Sequence, residues 1–169
     1  MNGQKYFFSI CDAVALKSPC LSRKIGAVIV KDNAILSTGY NGPPRGYYHC
    51  GSQGAILNSE IYQHLPCRIT FSKLTNTCPR KLHNYKSGEA LNLCPAAHAE
   101  QNAIAQAARN GTNINGATLY LNEITPCKTC MALIINSGII KVICSKSGNY
   151  DSLGLDMTTV CDVILYHNS

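Results

Sequence analysis

Apolar positions recur along the chain in blocks whose period changes from one block to the next. From residue 4 to about 17, Tyr6, Phe7, Ile10, Val14 and Leu16 form a rough stripe at helical spacing. This predicts an amphipathic helix that stops near Ser18-Pro19. Ile25 to Val30 is a nearly continuous apolar run, followed by a turn at Lys31-Asp32-Asn33 and a second run from Ala34 to Thr38. The pattern predicts a hairpin whose first strand is buried on both faces. Gly39 to Gly46 carries three glycines and two prolines and reads as a shaped loop. Residues 47 to 94 keep no regular period. Gly54 to Leu65 reads as a helix and Ile69-Thr70-Phe71 as a short strand, within a loop-rich insertion. Regularity then returns. A helix begins at Pro95 and ends at Asn110-Gly111, a strand covers Ala117 to Asn122, and a helix runs from Pro126 to Asn136-Ser137-Gly138. Ile139 to Cys144 reads as a strand, 145 to 159 as a polar loop and Val160 to Tyr166 as a last strand. Strands alternating with helices imply parallel pairing with right-handed crossovers, hence an α/β layered sheet.

Composition narrows this little. A chain of 169 residues is one domain's worth and buries a core without staples, so a single domain over 1–169 with an insertion at about 47–94 is expected. Charged residues make up 14%, which argues against disorder. No stretch approaches a membrane span, and the opening Met-Asn-Gly-Gln-Lys lacks the apolar core of a signal peptide. A cytoplasmic location follows as an expectation, with no membrane partner. The ten cysteines are then expected reduced rather than paired as five disulfides. Cys11, Cys144 and Cys161 lie in apolar elements and read as small core residues. The net charge of +6 agrees with an anionic ligand but is ordinary for a soluble protein.

Chemistry concentrates in two stretches. Cys94-Pro-Ala-Ala-His98-Ala-Glu100 offers a histidine and a carboxylate two residues apart, and Thr125-Pro-Cys127-Lys-Thr-Cys130 offers two thiols. A catalytic zinc takes three protein ligands and leaves a fourth position open. His98, Cys127 and Cys130 supply a nitrogen and two sulfurs, a set that suits zinc and not magnesium or calcium. Glu100 is then free for proton traffic. With Pro126 at a helix start, both cysteines fall in a first helical turn, where the dipole favours thiolates. Alone, a CxxC is as often a structural or redox pair. Joined to His-x-Glu, it is the pattern of zinc deaminases acting on nucleobases. The Gly39–Gly46 loop reads either as a plain turn or as a ligand loop, with the Asn41 amide and Arg45 as its polar groups.

The chain resembles the deoxycytidylate (dCMP) deaminases of the cytidine deaminase-like superfamily. The resemblance is carried by Ile25-Gly-Ala-Val-Ile-Val30, Thr38-Gly-Tyr-Asn-Gly-Pro-Pro-Arg-Gly46, His49-Cys50, Cys78-Pro-Arg80, Ser87-Gly-Glu89, Cys94 through Ile104, Ala107 to Gly111, Gly116 to Tyr120 and Pro126 to Cys130. It implies a three-layer α/β/α fold with a five-stranded mixed sheet and hydrolytic deamination of dCMP to dUMP. It implies a homo-oligomer, usually a hexamer built from dimers, with dCTP and dTTP as effectors and Mg2+ only alongside a triphosphate. By the same resemblance, Asn41, the Ala99 backbone N–H, Thr125 and Tyr150 contact the nucleotide, and Ser22, Arg23 and Lys24 lie near its phosphate. Gly42, Arg45 and Arg109 belong to an effector or interface region. Cys20, Cys50, Cys78 and Cys94 match a second, structural zinc, with His49 able to replace Cys50; four ligands would close its coordination sphere. Two departures stand out: divergent sequence over 52–77, and a short segment after Cys144 with little sign of a last helix.

Two other activities share the zinc motif. A tRNA adenosine deaminase would need a basic, aromatic-interleaved surface that the sequence lacks, so no nucleic-acid partner is expected. A deaminase of dCTP or of a modified cytosine nucleotide would differ only in specificity.

Overall fold

The computed structural model describes residues 3–66, 68–86 and 88–167. Cys67 and Ser87 lie outside them. The chain forms two compact units.

The first unit comprises 1–18, 25–41 and 98–169. It holds α1 (Gly3–Ala15), β1 (Gly26–Lys31) and β2 (Ala34–Tyr40). Its second half adds α6 (Ala99–Arg109), β3 (Thr118–Leu121), α7 (Lys128–Asn136), β4 (Lys141–Cys144), α8 (Ser152–Val160) and β5 (Ile164–His167). The sheet runs β2-β1-β3-β4-β5. β1 is antiparallel to β2 and β3, whereas β3, β4 and β5 are mutually parallel. This is the expected five-stranded mixed sheet.

Side chains alternate across the pleat, and the core splits accordingly. Ala27, Ile29, Leu119, Leu121, Val142 and Cys144 pack with Ala99, Ala103 and Ala107 of α6 and Met131 and Ile134 of α7. Val28, Val30, Tyr120 and Ile143 pack with Phe7, Phe8 and Cys11 of α1 on the other face. β1 is buried on both faces, which explains its continuous apolar run. Its hairpin turns through Asp32 and Asn33 at φ 50° and 61°, the paired left-handed residues that a two-residue loop requires.

The second unit comprises 19–24 and 42–97. It carries short helices among its loops: α2 (Gln53–Asn58), α3 (Glu60–Gln63), α4 (Phe71–Asn76), α5 (Pro79–Leu82) and a 3-10 turn at Leu91–Leu93. Its small core is Ala55, Ile61 and Tyr62, flanked by Leu65, Leu74 and Leu93.

Several expectations need correction. The single helix over Gly54–Leu65 is two, because Ser59 is extended (φ −95°, ψ 130°) and ends one helix while starting the next. Ile69-Thr70-Phe71 is no strand: Thr70 caps α4, and Phe71 is its first residue and exposed. A three-residue apolar run is too short to fix a period. Gly39 and Tyr40 continue β2 instead of opening a loop. α6 begins at Ala99, not near Pro95, since Ala97 is bridged to Gly42 in an extended segment. α7 begins at Lys128, two residues after Pro126. The polar stretch 145–159 contains α8, and the last strand shortens to Ile164–His167. Parallel strands cannot be joined by a tight turn, so the β4–β5 pairing itself demands a crossover there. Cys11 and Cys144 are buried as expected, whereas Cys161 is exposed at the end of α8.

Candidate metal centre

The first unit places the reactive residues at two helix starts. His98 is the N-cap of α6, extended at φ −72° and ψ 160°, and its N–H donates to the Gln101 Oε1 at 2.8 Å. Cys127 is the N-cap of α7 at φ −67° and ψ 163°, which puts Cys130 at the third helical position. Small residues let these ends converge. A Cβ on Gly39 of β2 would clash with the Ala99 carbonyl and the Ala103 nitrogen, so strand and helix backbones touch.

The His98, Cys127 and Cys130 donor atoms all lie within 4.8 Å of one another. His98 Nδ1 is 3.6 Å from Cys127 Sγ and 3.3 Å from Cys130 Sγ. A tetrahedral zinc with ordinary Zn–N and Zn–S bonds sets such atoms about 3.6 Å apart. The donor set and its spacing therefore fit zinc.

Electrostatics agree. A hydrogen bond from Cys130 holds the Cys127 thiol down to about 4; burial works against this and His98 assists it. That same bond, with burial and the Glu100 charge, pushes Cys130 up. Glu100 sits at the second position of α6 and is buried. Burial raises its carboxyl above the usual range, against the pull of His98 and a hydrogen bond with Cys130.

The other candidates in this unit surround the centre unevenly. The Tyr150 ring lies 6.5 Å from the His98 ring, centroid to centroid. Ala99 is the first residue of α6, so its N–H is among the four that no helical carbonyl can take. Thr125 is fully buried, with its hydroxyl 2.9 Å from His167 Nε2. Asn41 is buried too, and its Oδ1 lies 2.8 Å from both the Ser18 hydroxyl and the Ile25 nitrogen. Arg109 is exposed at the far end of α6, about 15 Å along the axis from Ala99. Two residues in contact with the Thr125–Lys128 loop were not among the candidates drawn from the sequence. Asp151 accepts from the Lys128 N–H, and His167 meets Thr125. Asp151 had a local mark, as a capping residue three before Gly154; His167 had none.

The second unit holds Cys20, Ser22, Arg23, Lys24, Gly42, Arg45, Cys50, Cys78 and Cys94. Burial pushes the Cys50 thiol up to about 12, and the Cys94, Cys78 and Cys20 sulfurs add to the rise. Cys50 is thus near enough to Cys94, Cys78 and Cys20 to feel their charges, while His49 is exposed. Ser22, Arg23, Lys24 and Arg45 are exposed, and Gly42 is buried and bridged to Ala97.

Residues 1–146 match the family described as the cytidine and deoxycytidylate deaminase zinc-binding region. The chain is 38% identical over 151 residues to the deoxycytidylate deaminase of phage T4, covering 85% of this chain and 77% of that one. To the deoxycytidylate deaminase of mycobacteriophage D29 it is 36% identical over 149 residues, covering 84% and 93%. The enzyme of that name in Schizosaccharomyces pombe is 33% identical over 147 residues, but the chain spans only 38% of its length. Among solved structures, the dCMP deaminase of cyanophage S-TIM5 superposes with a TM-score of 0.66 over 98% of this chain and 96% of that one, at 22% identity. The fold, the matched residues and these identities agree: the chain belongs to the cytidine and deoxycytidylate deaminase zinc-binding family.

Proposed function

We propose that this protein is a zinc-dependent hydrolase that deaminates dCMP to dUMP. The observation that carries the reading is the convergence of His98, Cys127 and Cys130 beside the buried Glu100 carboxylate, in a chain whose relatives above are named deoxycytidylate deaminase. Zinc held by the three donors supplies Lewis acidity and lowers the pKa of water to about 7. Glu100 then moves the protons. It takes one from the attacking water, gives it to the ring nitrogen beside the reacting carbon, and assists the departure of ammonia. A raised pKa suits both halves of that task near neutral pH. The Ala99 N–H, at the positive end of α6, would hold the base carbonyl, and Tyr150 would pack on the substrate. Ser22, Arg23 and Lys24 are the candidates for the phosphate.

The test is ammonia release from dCMP, dCTP, CMP and deoxycytidine by zinc-replete protein. Rapid turnover of dCMP with little of deoxycytidine is expected. Equal turnover of the two would sink the phosphate requirement. Arg23→Ala should raise KM for dCMP more than it lowers kcat.

The electrostatic influence of Cys94, Cys78 and Cys20 on Cys50 supports a second, structural zinc in the second unit, which would require Cys20, Cys50, Cys78 and Cys94 as thiolates. Regulation by dCTP and dTTP with Mg2+, and assembly into a hexamer of dimers, are the finer expectations of the family. Light scattering coupled to gel filtration, with and without dCTP, checks both.

A further inference from the structure

Ties run from the segment between β4 and α8 to the loop that carries Cys127. The Thr125 N–H donates to the Gly148 carbonyl at 3.0 Å, and Thr125 and Asn149 form a parallel bridge. The Asp151 carboxylate then spans two helix starts. Its Oδ1 accepts from the Gly154 N–H at 2.6 Å within α8, and its Oδ2 accepts from the Lys128 N–H at 3.0 Å, at the first residue of α7. The two helices approach closely there. A Cβ on Gly154 would lie 2.8 Å from the Pro126 carbonyl oxygen and 3.0 Å from the Lys128 nitrogen.

Capping α8 explains only one of these bonds, because an N-cap needs a single acceptor oxygen. The other reaches a residue 23 positions earlier, directly after Cys127. Fixing the Lys128 N–H restrains the peptide plane that joins it to Cys127, and so the backbone from which the Cys127 side chain projects. On its other side, Asp151 follows Tyr150, whose ring stands beside that of His98. One carboxylate thus governs the backbone of a metal-binding thiol and of the ring next to a metal-binding imidazole.

We propose that Asp151 is a positioning residue of the metal centre, clamping the start of α7 to the start of α8 so that Cys127 is held in ligand geometry. The proposal rests on the reading that His98, Cys127 and Cys130 hold zinc. Residues that orient metal ligands commonly change affinity by about 10- to 100-fold when replaced.

The experiment compares zinc release to a chromophoric chelator from wild type, Asp151→Asn, Thr158→Ala and His98→Ala, all in the full chain. Asparagine keeps an oxygen for Gly154 but turns an NH2 toward the Lys128 N–H, so the cap survives and the clamp does not. Thr158→Ala weakens α8 at its buried hydroxyl, which donates to the Leu155 carbonyl, away from the loop. The phase read is the one that His98→Ala lacks, with rates compared at the same interval below each variant's Tm. Asp151→Asn should release that zinc at least about tenfold faster than wild type, and Thr158→Ala at the wild-type rate. An unchanged rate in Asp151→Asn, or equal acceleration in both variants, overturns the clamp. Identical zinc contents in wild type and His98→Ala would instead overturn the ligand reading, and the clamp with it.

Discussion

At the scale of single residues, Glu100 is defined by what surrounds it. Its carboxylate is buried beside two thiols and an imidazole, where a charge without solvent is costly. Replacing it by glutamine keeps shape and removes proton transfer. Glu100→Gln should lower kcat by about 10²- to 10⁴-fold while zinc content, measured by mass spectrometry, stays at the wild-type level. Loss of zinc in that variant would mean the glutamate is a ligand or a structural support. Cys11 illustrates the opposite kind of thiol. It is fully buried, its S–H donates to the Tyr120 carbonyl at 3.4 Å, and burial pushes it up to about 12. The unfolded thiol titrates near 9, so the stability that Cys11 contributes is complete below that pH and is lost as pH rises from 9 to 12. Urea unfolding should show wild type losing stability faster than Cys11→Ala across that window, by up to about 1.4 kcal/mol per pH unit. Parallel pH profiles would show that the thiol ionises in the folded state as readily as in the unfolded chain.

At the scale of elements, the site is a meeting of helix starts, and glycines set how near they come. Gly39→Ala would drive a methyl into the Ala99 carbonyl and the Ala103 nitrogen, backbone atoms that cannot turn aside. A loss of about 3 kcal/mol or more, read from thermal unfolding, is expected. Loss of activity should accompany it, because α6 carries Glu100 and is capped by His98. α6 and α7 were legible in the chain, since alanine-rich and apolar helical runs end in Asn110-Gly111 and Ser137-Gly138. Their first residues were not, because proline marks a start without saying whether it stands at the first helical position or before it. α8 was missed altogether. Its apolar residues, Leu153, Leu155 and Val160 among them, are largely exposed, so it carries no clean stripe. In the insertion, α4 and α5 were not legible for a related reason: helices of four to six residues are too short to display a period.

At the scale of the whole molecule, the two units are held together internally by different means. The first has a continuous core on both faces of its sheet. Among the described residues, the cluster of the second has only Ala55, Ile61 and Tyr62 buried, and Cys50 in that unit feels the charges of Cys20, Cys78 and Cys94. If those thiols hold zinc, Cys78→Ser should remove one zinc equivalent and open residues 42–97 to limited proteolysis, while the far-ultraviolet signal of the sheet persists. Unchanged zinc and unchanged cleavage would show that the cysteines are packed free thiols. Among the described residues, no helix is long and apolar enough to cross a membrane.

The sequence by itself determined the catalytic chemistry and the class of fold. The roles proposed for His98, Glu100, Cys127 and Cys130 rest on residue type and short spacing, and the hairpin and the βαβ period show as local hydrophobic patterns. Tertiary structure alone decided the rest. That β4 and β5 lie parallel requires α8, a fact about strand direction that no local run of residues encodes. That Cys50 lies close enough to Cys20 to feel its charge depends on bringing residues 19–24 to a segment that begins 18 positions later. And Asp151 gains its second bond only because α8 folds back on the start of α7, where a helix-capping carboxylate meets an amide distant in sequence.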